Sequence, residues 1–334
     1  MSILKIIKPE NINNTTRLLK IHEDFMNERK AKWIFRGQKS DKKKEDEKNV
    51  NELKTSLEKA IKSFKINLKK APDIEKGLLR KFKRHSAMYL KNIPVFYDYM
   101  EWFALMQHYG APTRLQDWTY SFFDAVYMAV NDMEDNAEVW AINTNYLEKS
   151  AIKIIKEKAK FKNKSYKEMK EIIRNDSCAH IPKIFEDIFI NKPKPFVLPM
   201  NPHNLNERLI IQQGIFLCPG DITQSFIDNL IANFKDENRK LIKADLKNKK
   251  YIRRYKITNN VYRKKDILQH LQRMNMNNAT LFPGLNGFAE SLRTLLAFLP
   301  KEPGILTGHS EYVIKYLYSM NKCNYKDKTD KDEK

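Results

Sequence analysis

Arg36 is followed directly by Gly37 in the stretch WIFRGQ (Trp33–Gln38). An arginine fork holds a phosphate through two parallel N–H donors, and a glycine beside it lets the main chain approach a ligand. The same arginine suits a buried ion pair with a carboxylate such as Asp117, and the sequence leaves both open. A second dense stretch, MQHYGAPTRLQDWT (Met106–Thr119), holds His108, Thr113, Arg114, Asp117 and Thr119. His108 titrates in the range needed for a general acid or base. At a helix C-terminus it serves equally well as a partner of the last carbonyls and the helix dipole. Arg114 reads either as an anion ligand or as the partner of Asp117. Trp118, Phe122 and Phe123 read as core more readily than as a stacking platform. His180, His203, His270 and His309 are far apart and lack HExxH spacing, so no metal centre is expected. No P-loop, GxGxxG or GxSxG is present, which removes the usual anchors of kinase-like, Rossmann and α/β-hydrolase readings.

These side chains need elements to hold them. Asn13 and Asn14 ahead of Thr15 and Thr16 suggest the cap of a first helix, with Leu18, Leu19, His22, Phe25 and Met26 on one face. Ala31–Gln38 is expected as a strand, and Ser40–Asn49 as an exposed charged loop. From Val50 to Leu90 the apolar spacing is helical, interrupted at Pro72-Asp73. A helix over Val95–His108 follows, packed with Phe96, Tyr99, Trp102, Phe103 and Met106 and ended by Gly110. Strands are expected at Thr113–Gln116, Glu138–Asn143, Phe196–Pro199, Leu209–Gln213, Ile215–Cys218 and Tyr251–Ile257. Helices are expected at Phe122–Asn131, Tyr146–Arg174, Ile222–Phe234, Tyr262–Met276 and Phe288–Leu299. Short strands scattered among helices give an α+β fold rather than a βαβ array. The expected organisation is an N-terminal helical segment over 1–30 and one large domain over 31–299. That domain has a small mixed or antiparallel core sheet, a helical insertion at about 40–92 and a second, basic, surface insertion at about 145–190. Residues 300–334 are expected as a charged, partly disordered tail.

WIFRGQ resembles the Phe-Arg-Gly element that names the FRG domain family, and Glu101–Val130 (EWFALMQHYGAPTRLQDWTYSFFDAVYMAV) is similar to that family's longest motif. Gln116 departs from it, since the family usually has Leu there. RLIIQQGIFLCPGD (Arg208–Asp221) and ATLFPGLNGFAESL (Ala279–Leu292) fit as well. The resemblance implies a shared site but no settled reaction, and the family's occurrence in bacteria and phages implies a defence or toxin-type role. More distantly, the order of motifs resembles the Arg–Ser–Glu branch of ADP-ribosyltransferases. WIFRG stands in the first place, Trp118-Thr119-Tyr120-Ser121 in the second, and Glu207–Phe216 in the third. That likeness implies NAD or another nucleotide as substrate, with Arg36, Gly37, Gln38, Thr113, Arg114, Thr119 and Gln213 as ligand-binding residues. An oxocarbenium-like transition state needs a nearby carboxylate. Here Gln212 or Gln213 faces the turn, Glu207 lies upstream, and Asp117 and His108 are the other catalytic candidates.

The chain has 334 residues, 42% hydrophobic and 11% aromatic, which is globular composition. It carries a net charge of +21. Lys235–Lys265 holds thirteen Lys/Arg against three acids, and Ala151–Arg174 holds nine against three. Such density attracts polyanions. The competing reading of function is therefore a nucleic-acid-binding or interaction module using Arg253, Arg254, Lys264 and Lys265, with the signature purely structural. A lysine-rich composition on solvated faces explains the charge equally well. Three widely spaced cysteines argue against a disulfide framework. The absence of a signal-like or spanning apolar stretch gives the expectation of a cytoplasmic protein that does not enter a membrane.

Overall fold

A computed structural model of the protein describes residues 6–40, 53–131, 136–174, 182–202, 207–258 and 260–295. The chain forms two compact units, Met1–Asn259 and Asn260–Lys334. In the first, the elements run β1 (Glu10–Asn11), α1 (Thr15–Asn27), β2 (Trp33–Ser40), α2 (Ser56–Ser63), α3 (Ala71–Ser86) and α4 (Tyr99–His108). They continue with β3 (Gln116–Thr119), α5 (Phe122–Val130), β4 (Asn136–Asn143), α6 (Thr144–Lys156), α7 (Tyr166–Arg174), β5 (Val197–Met200) and α8 (Glu207–Ile211). β6 (Gly214–Pro219), α9 (Phe226–Asn233) and β7 (Ile252–Ile257) complete it. The second unit contains α10 (Val261–Arg273) and α11 (Leu285–Leu295). The fold is α+β, with a seven-stranded mixed sheet in the order β1-β7-β4-β2-β3-β6-β5. Only the edge pair β1–β7 is parallel. No helix among the described residues is long and apolar enough to cross a membrane.

Ile6 and Ile7 join the core with Ile34 and Trp140. Asn14 caps α1 as expected, its side chain accepting from the Arg17 amide. α1 then lays Phe25 against Trp33, Phe35 and Phe122, so it covers one face of the sheet with α5. β2 is central and pairs with β4 along its whole length, from Trp33↔Asn143 to Ser40↔Asn136. Its alternation sends Phe35 and Gly37 toward α1 and α5, and Ile34 and Arg36 toward the opposite face. A Cβ on Gly37 would stand 1.9 Å from the Ala125 carbonyl oxygen. The glycine is therefore demanded by helix α5 crossing directly over the strand, not by a turn.

Several elements differ from their sequence-based expectations. The helical run expected from Val50 divides at Lys65, which has φ 56°, and Phe64 beside it is 78% exposed. Pro72 sits within the first turn of α3, where the missing N–H costs nothing. α4 begins at Tyr99, with Asp98 as its cap, and leaves Phe96 on the surface. The strand expected at Thr113–Gln116 lies instead at Gln116–Thr119. Thr113 is taken up by α2, its carbonyl accepting the Leu57 amide at 3.0 Å. Leu209–Gln213 is not a strand: the chain makes one helical turn and leaves it through Gln213 at φ 46°. The basic segment expected as a surface insertion also builds core, because Ala151, Ile152, Ile155, Phe161 and Met169 are buried with Trp102, Phe103 and Phe185. The expected loop within 41–49 and the tail from 300 lie outside the described residues, as do Cys178, Cys323, His180, His203 and His309.

Candidate functional site

Pairing between β2 and β3 is recorded at a single position, Phe35↔Thr119, although both strands continue. The Arg36 guanidinium occupies the widening that follows, donating from Nη1 to the main-chain oxygen of Asp117 at 2.5 Å. Its Nε is buried without a hydrogen-bond partner, and so is Nε1 of Trp140, the residue directly opposite Arg36 on β4. Directly opposed residues share a sheet face, so two donors without acceptors stand side by side on one face. Buried donors in that condition are rare and call for an acceptor. Burial lowers the pKa of Arg36, with Asp117 acting in the other direction.

The surroundings are cationic. Lys59, on α2, has its pKa lowered by burial and then by the charges of Arg36 and Lys54. Asp117 is the exposed carboxylate among them, and Gln107 Nε2 donates to its Oδ2 at 2.8 Å. Gln107 is held in turn, its Oε1 accepting from Thr113 Oγ1 at 2.6 Å and Ser56 Oγ at 3.1 Å. This chain of bonds ties the end of α4, the start of α2 and β3 into one frame around the carboxylate. Arg36 therefore does not make the buried carboxylate pair considered from sequence; its bond goes to the Asp117 main chain.

The remaining candidates divide into groups. Arg114 is 2% exposed and bonded through Nε and Nη2 to Glu75 on α3, so it pairs with neither Asp117 nor solvent. Thr119 Oγ1 donates to the Gln212 carbonyl at 2.6 Å and accepts from the Ser121 amide. Its side chain shares the face of Phe35, opposite to that of Arg36. Gln212 is buried, with Arg208 Nε 3.5 Å from its side-chain oxygen. Gln213 and Glu207 are exposed, and the Gln213 carbonyl accepts the Tyr120 amide. His108 is exposed at the end of α4, its pKa lowered by burial and by Arg208. Thr119, Gln212 and His108 thus belong to the junction of α4, β3 and α8, next to the Arg36 group but outside its bonds. Gln38 lies on β2 opposite Glu138.

The residues of the nucleic-acid reading are partly spoken for. Arg254 is 7% exposed in an ion pair with Glu138 and stacks on Trp140. Arg253 pairs with Glu28 and lies over Trp33 at 4.4 Å. Both are built into the β4–β7 side of the sheet. Lys264 and Lys265 stand on α10 in the second unit.

Sequence reasoning missed Lys54, Ser56, Lys59, Gln107 and Trp140. A lysine-rich chain gives Lys59 no distinguishing mark, and only register places Trp140 opposite Arg36. Gln107 had a signal, lying inside the motif next to His108. Residues 31–138 match the family model of the FRG domain. No curated protein and no solved structure matches the chain.

Proposed function

Residues 31–138 are an FRG domain, and from that premise we propose that the protein recognises a nucleotide or NAD through its phosphates, held by Arg36 with Lys59 and Lys54. The observation that carries this reading is the Arg36 guanidinium, with its free buried Nε beside the equally free Trp140 Nε1. A phosphate offers acceptor oxygens in several directions, which suits unpaired donors on two neighbouring strands. The positive charge around it is balanced nearby by Asp117; burial and then the charges of Arg36 and Lys54 lower the pKa of Lys59, and an anion there would offset that repulsion.

The three segments that resemble an ADP-ribosyltransferase's Arg, Ser-Thr-Ser and Glu elements contribute neighbouring structure, β2, β3 and the α8–β6 turn. That adjacency supports an NAD-directed reading. The residue that suits the carboxylate role in it is Asp117, which is exposed, oriented by Gln107 and close to Arg36. Glu207 is on the far side of α8 in sequence, and Gln212 carries no charge. For NAD cleavage, Asp117 would stabilise the developing positive charge on the ribose while Arg36 holds the pyrophosphate.

A thermal-shift panel of NAD, ATP, GTP and a short oligonucleotide tests the reading. Ligand at about 100 times its Kd stabilises a protein by about 2.7 kcal/mol. A mononucleotide or NAD is expected to raise the wild-type Tm and to leave Arg36→Ala unmoved. A shift of equal size in both proteins rejects Arg36 as the phosphate ligand.

A further inference from the structure

A cavity of about 870 Å³ opens away from Arg36, between α3, the 93–103 segment and residues 186–193. Its volume lies in the range of small-molecule sites. Leu79, Trp102, Phe103 and Phe189 give it an apolar, aromatic floor, and Ile93, Phe96 and Ile190 carry that surface to an exposed lip. Its charged residues are unequally committed. Glu75 is bound to Arg114, Glu186 accepts from Tyr99 Oη at 2.9 Å, and Asp221 accepts from Thr223 and Gln224. Lys83 donates to the Phe96 carbonyl and lies 4.6 Å from the centre of that ring. Lys76, Arg80 and Arg84 line the same wall, one helical stripe at i, i+4 and i+8. Among the described residues they have no hydrogen bond or ion pair. Of the acids that line the cavity, Asp73, on the same helix, is the one without a side-chain partner among the described residues.

We infer that this cleft is a second ligand site, for an amphipathic anion: an apolar body lying on Trp102, Phe103 and Phe189, with a phosphate or carboxylate head against Arg80 and Arg84. The cavity is open, so the head stays at the rim where the arginines are exposed and the body takes the floor. Arg114, fixed to Glu75 and stacked on Phe103, Phe185 and Phe189, makes the floor rigid and leaves the head to α3. This would give the motif residue Arg114 a function without contact to the phosphate-binding group at Arg36.

Calorimetric titration of the full chain decides it, with dodecyl phosphate below its micelle concentration and dodecyltrimethylammonium as the oppositely charged control. 1-Naphthyl phosphate replaces the chain by a ring. Dodecyl phosphate is expected to bind saturably and the ammonium not at all. Arg80→Glu with Arg84→Glu should weaken phosphate binding at least tenfold. Lys240→Glu with Lys247→Glu, elsewhere on the surface, should leave it unchanged. Binding of naphthyl phosphate in place of the dodecyl compound supports the same site with an aromatic body. Equal binding of both dodecyl compounds, no binding of either phosphate, or equal weakening by the two charge-reversed pairs overturns the proposal. Lys76→Gln provides a milder variant if the double reversal does not fold; an affinity at wild-type level in it and in Arg84→Gln also counts against the site.

Discussion

Arg36 and Gly37 are adjacent in sequence but serve opposite faces of the sheet. The arginine reaches into the widening between β2 and β3, and the glycine lets α5 lie against β2. Adding one methyl at Gly37 meets main-chain atoms of Ala125 and Ala129, which have no side-chain rotamer to yield. Gly37→Ala is expected to cost about 2–4 kcal/mol, read as a drop in the denaturant midpoint. Arg114 presents a different kind of dependence. With Glu75 it forms a buried ion pair, so Glu75→Gln, which leaves a buried guanidinium without a counter-charge, should destabilise by about 3–5 kcal/mol. Replacing both partners by leucine should cost less than the single change, and a double-mutant cycle by denaturant unfolding measures the difference. The sequence made Arg36 and Gly37 visible as a pair because their types are unusual together. It did not reveal that Arg114, in the loop between α4 and β3, belongs to Glu75 on α3, 39 positions away. Such pairings are written in three-dimensional packing, and no local spacing encodes them.

The same limit explains which elements were legible. α1 was readable because its apolar residues recur every three or four positions, and β2 because Trp33, Ile34 and Phe35 are strand formers without helical spacing. The short strands β5, β6 and β7 were readable too, but the helical turn at Glu207–Ile211 was not. Ile210 and Ile211 favour a strand by type, yet the chain there makes a helical turn whose exit at Gln213 is fixed by Tyr120 and Thr119. Thr119→Val removes two hydrogen bonds at that junction and should cost about 1–3 kcal/mol. It should also raise amide exchange in 207–213. Within α5, Asp124 is 3% exposed and its pKa is pushed up to about 6, chiefly by burial, against the opposing bond from Ser121. An unfolded aspartate titrates at about 3.9. Between those values the folded state keeps a proton that the unfolded state has released. This contribution is therefore intact below the unfolded pKa, and stability falls as pH rises through the folded one. Asp124→Asn should flatten that part of the stability–pH curve, as measured by urea midpoints between pH 4 and pH 7.

At the scale of the whole molecule, the charge of +21 is not one surface. Arg253 and Arg254 brace the sheet, Lys59 and Arg36 gather at the β2–β3 opening, and the free cations of α3 border the aromatic cleft. Composition announced the excess, and only the fold divides it among these tasks. The second motif stretch divides in space: Gln107 and Asp117 join the Arg36 group, while Arg114 pairs with Glu75 elsewhere, though all four lie within the residues that match the FRG domain model. The central claim is that Arg36 binds the phosphate of a nucleotide. Its most direct measurement is a calorimetric titration of ADP and NAD into wild type, Arg36→Ala and Lys59→Gln at low ionic strength, where charge contacts are least screened. Saturable binding of one ligand to wild type is expected, weakened at least tenfold by Arg36→Ala and less by Lys59→Gln, with unfolding profiles unchanged. Equal affinity in wild type and Arg36→Ala, or no binding to wild type, would contradict it.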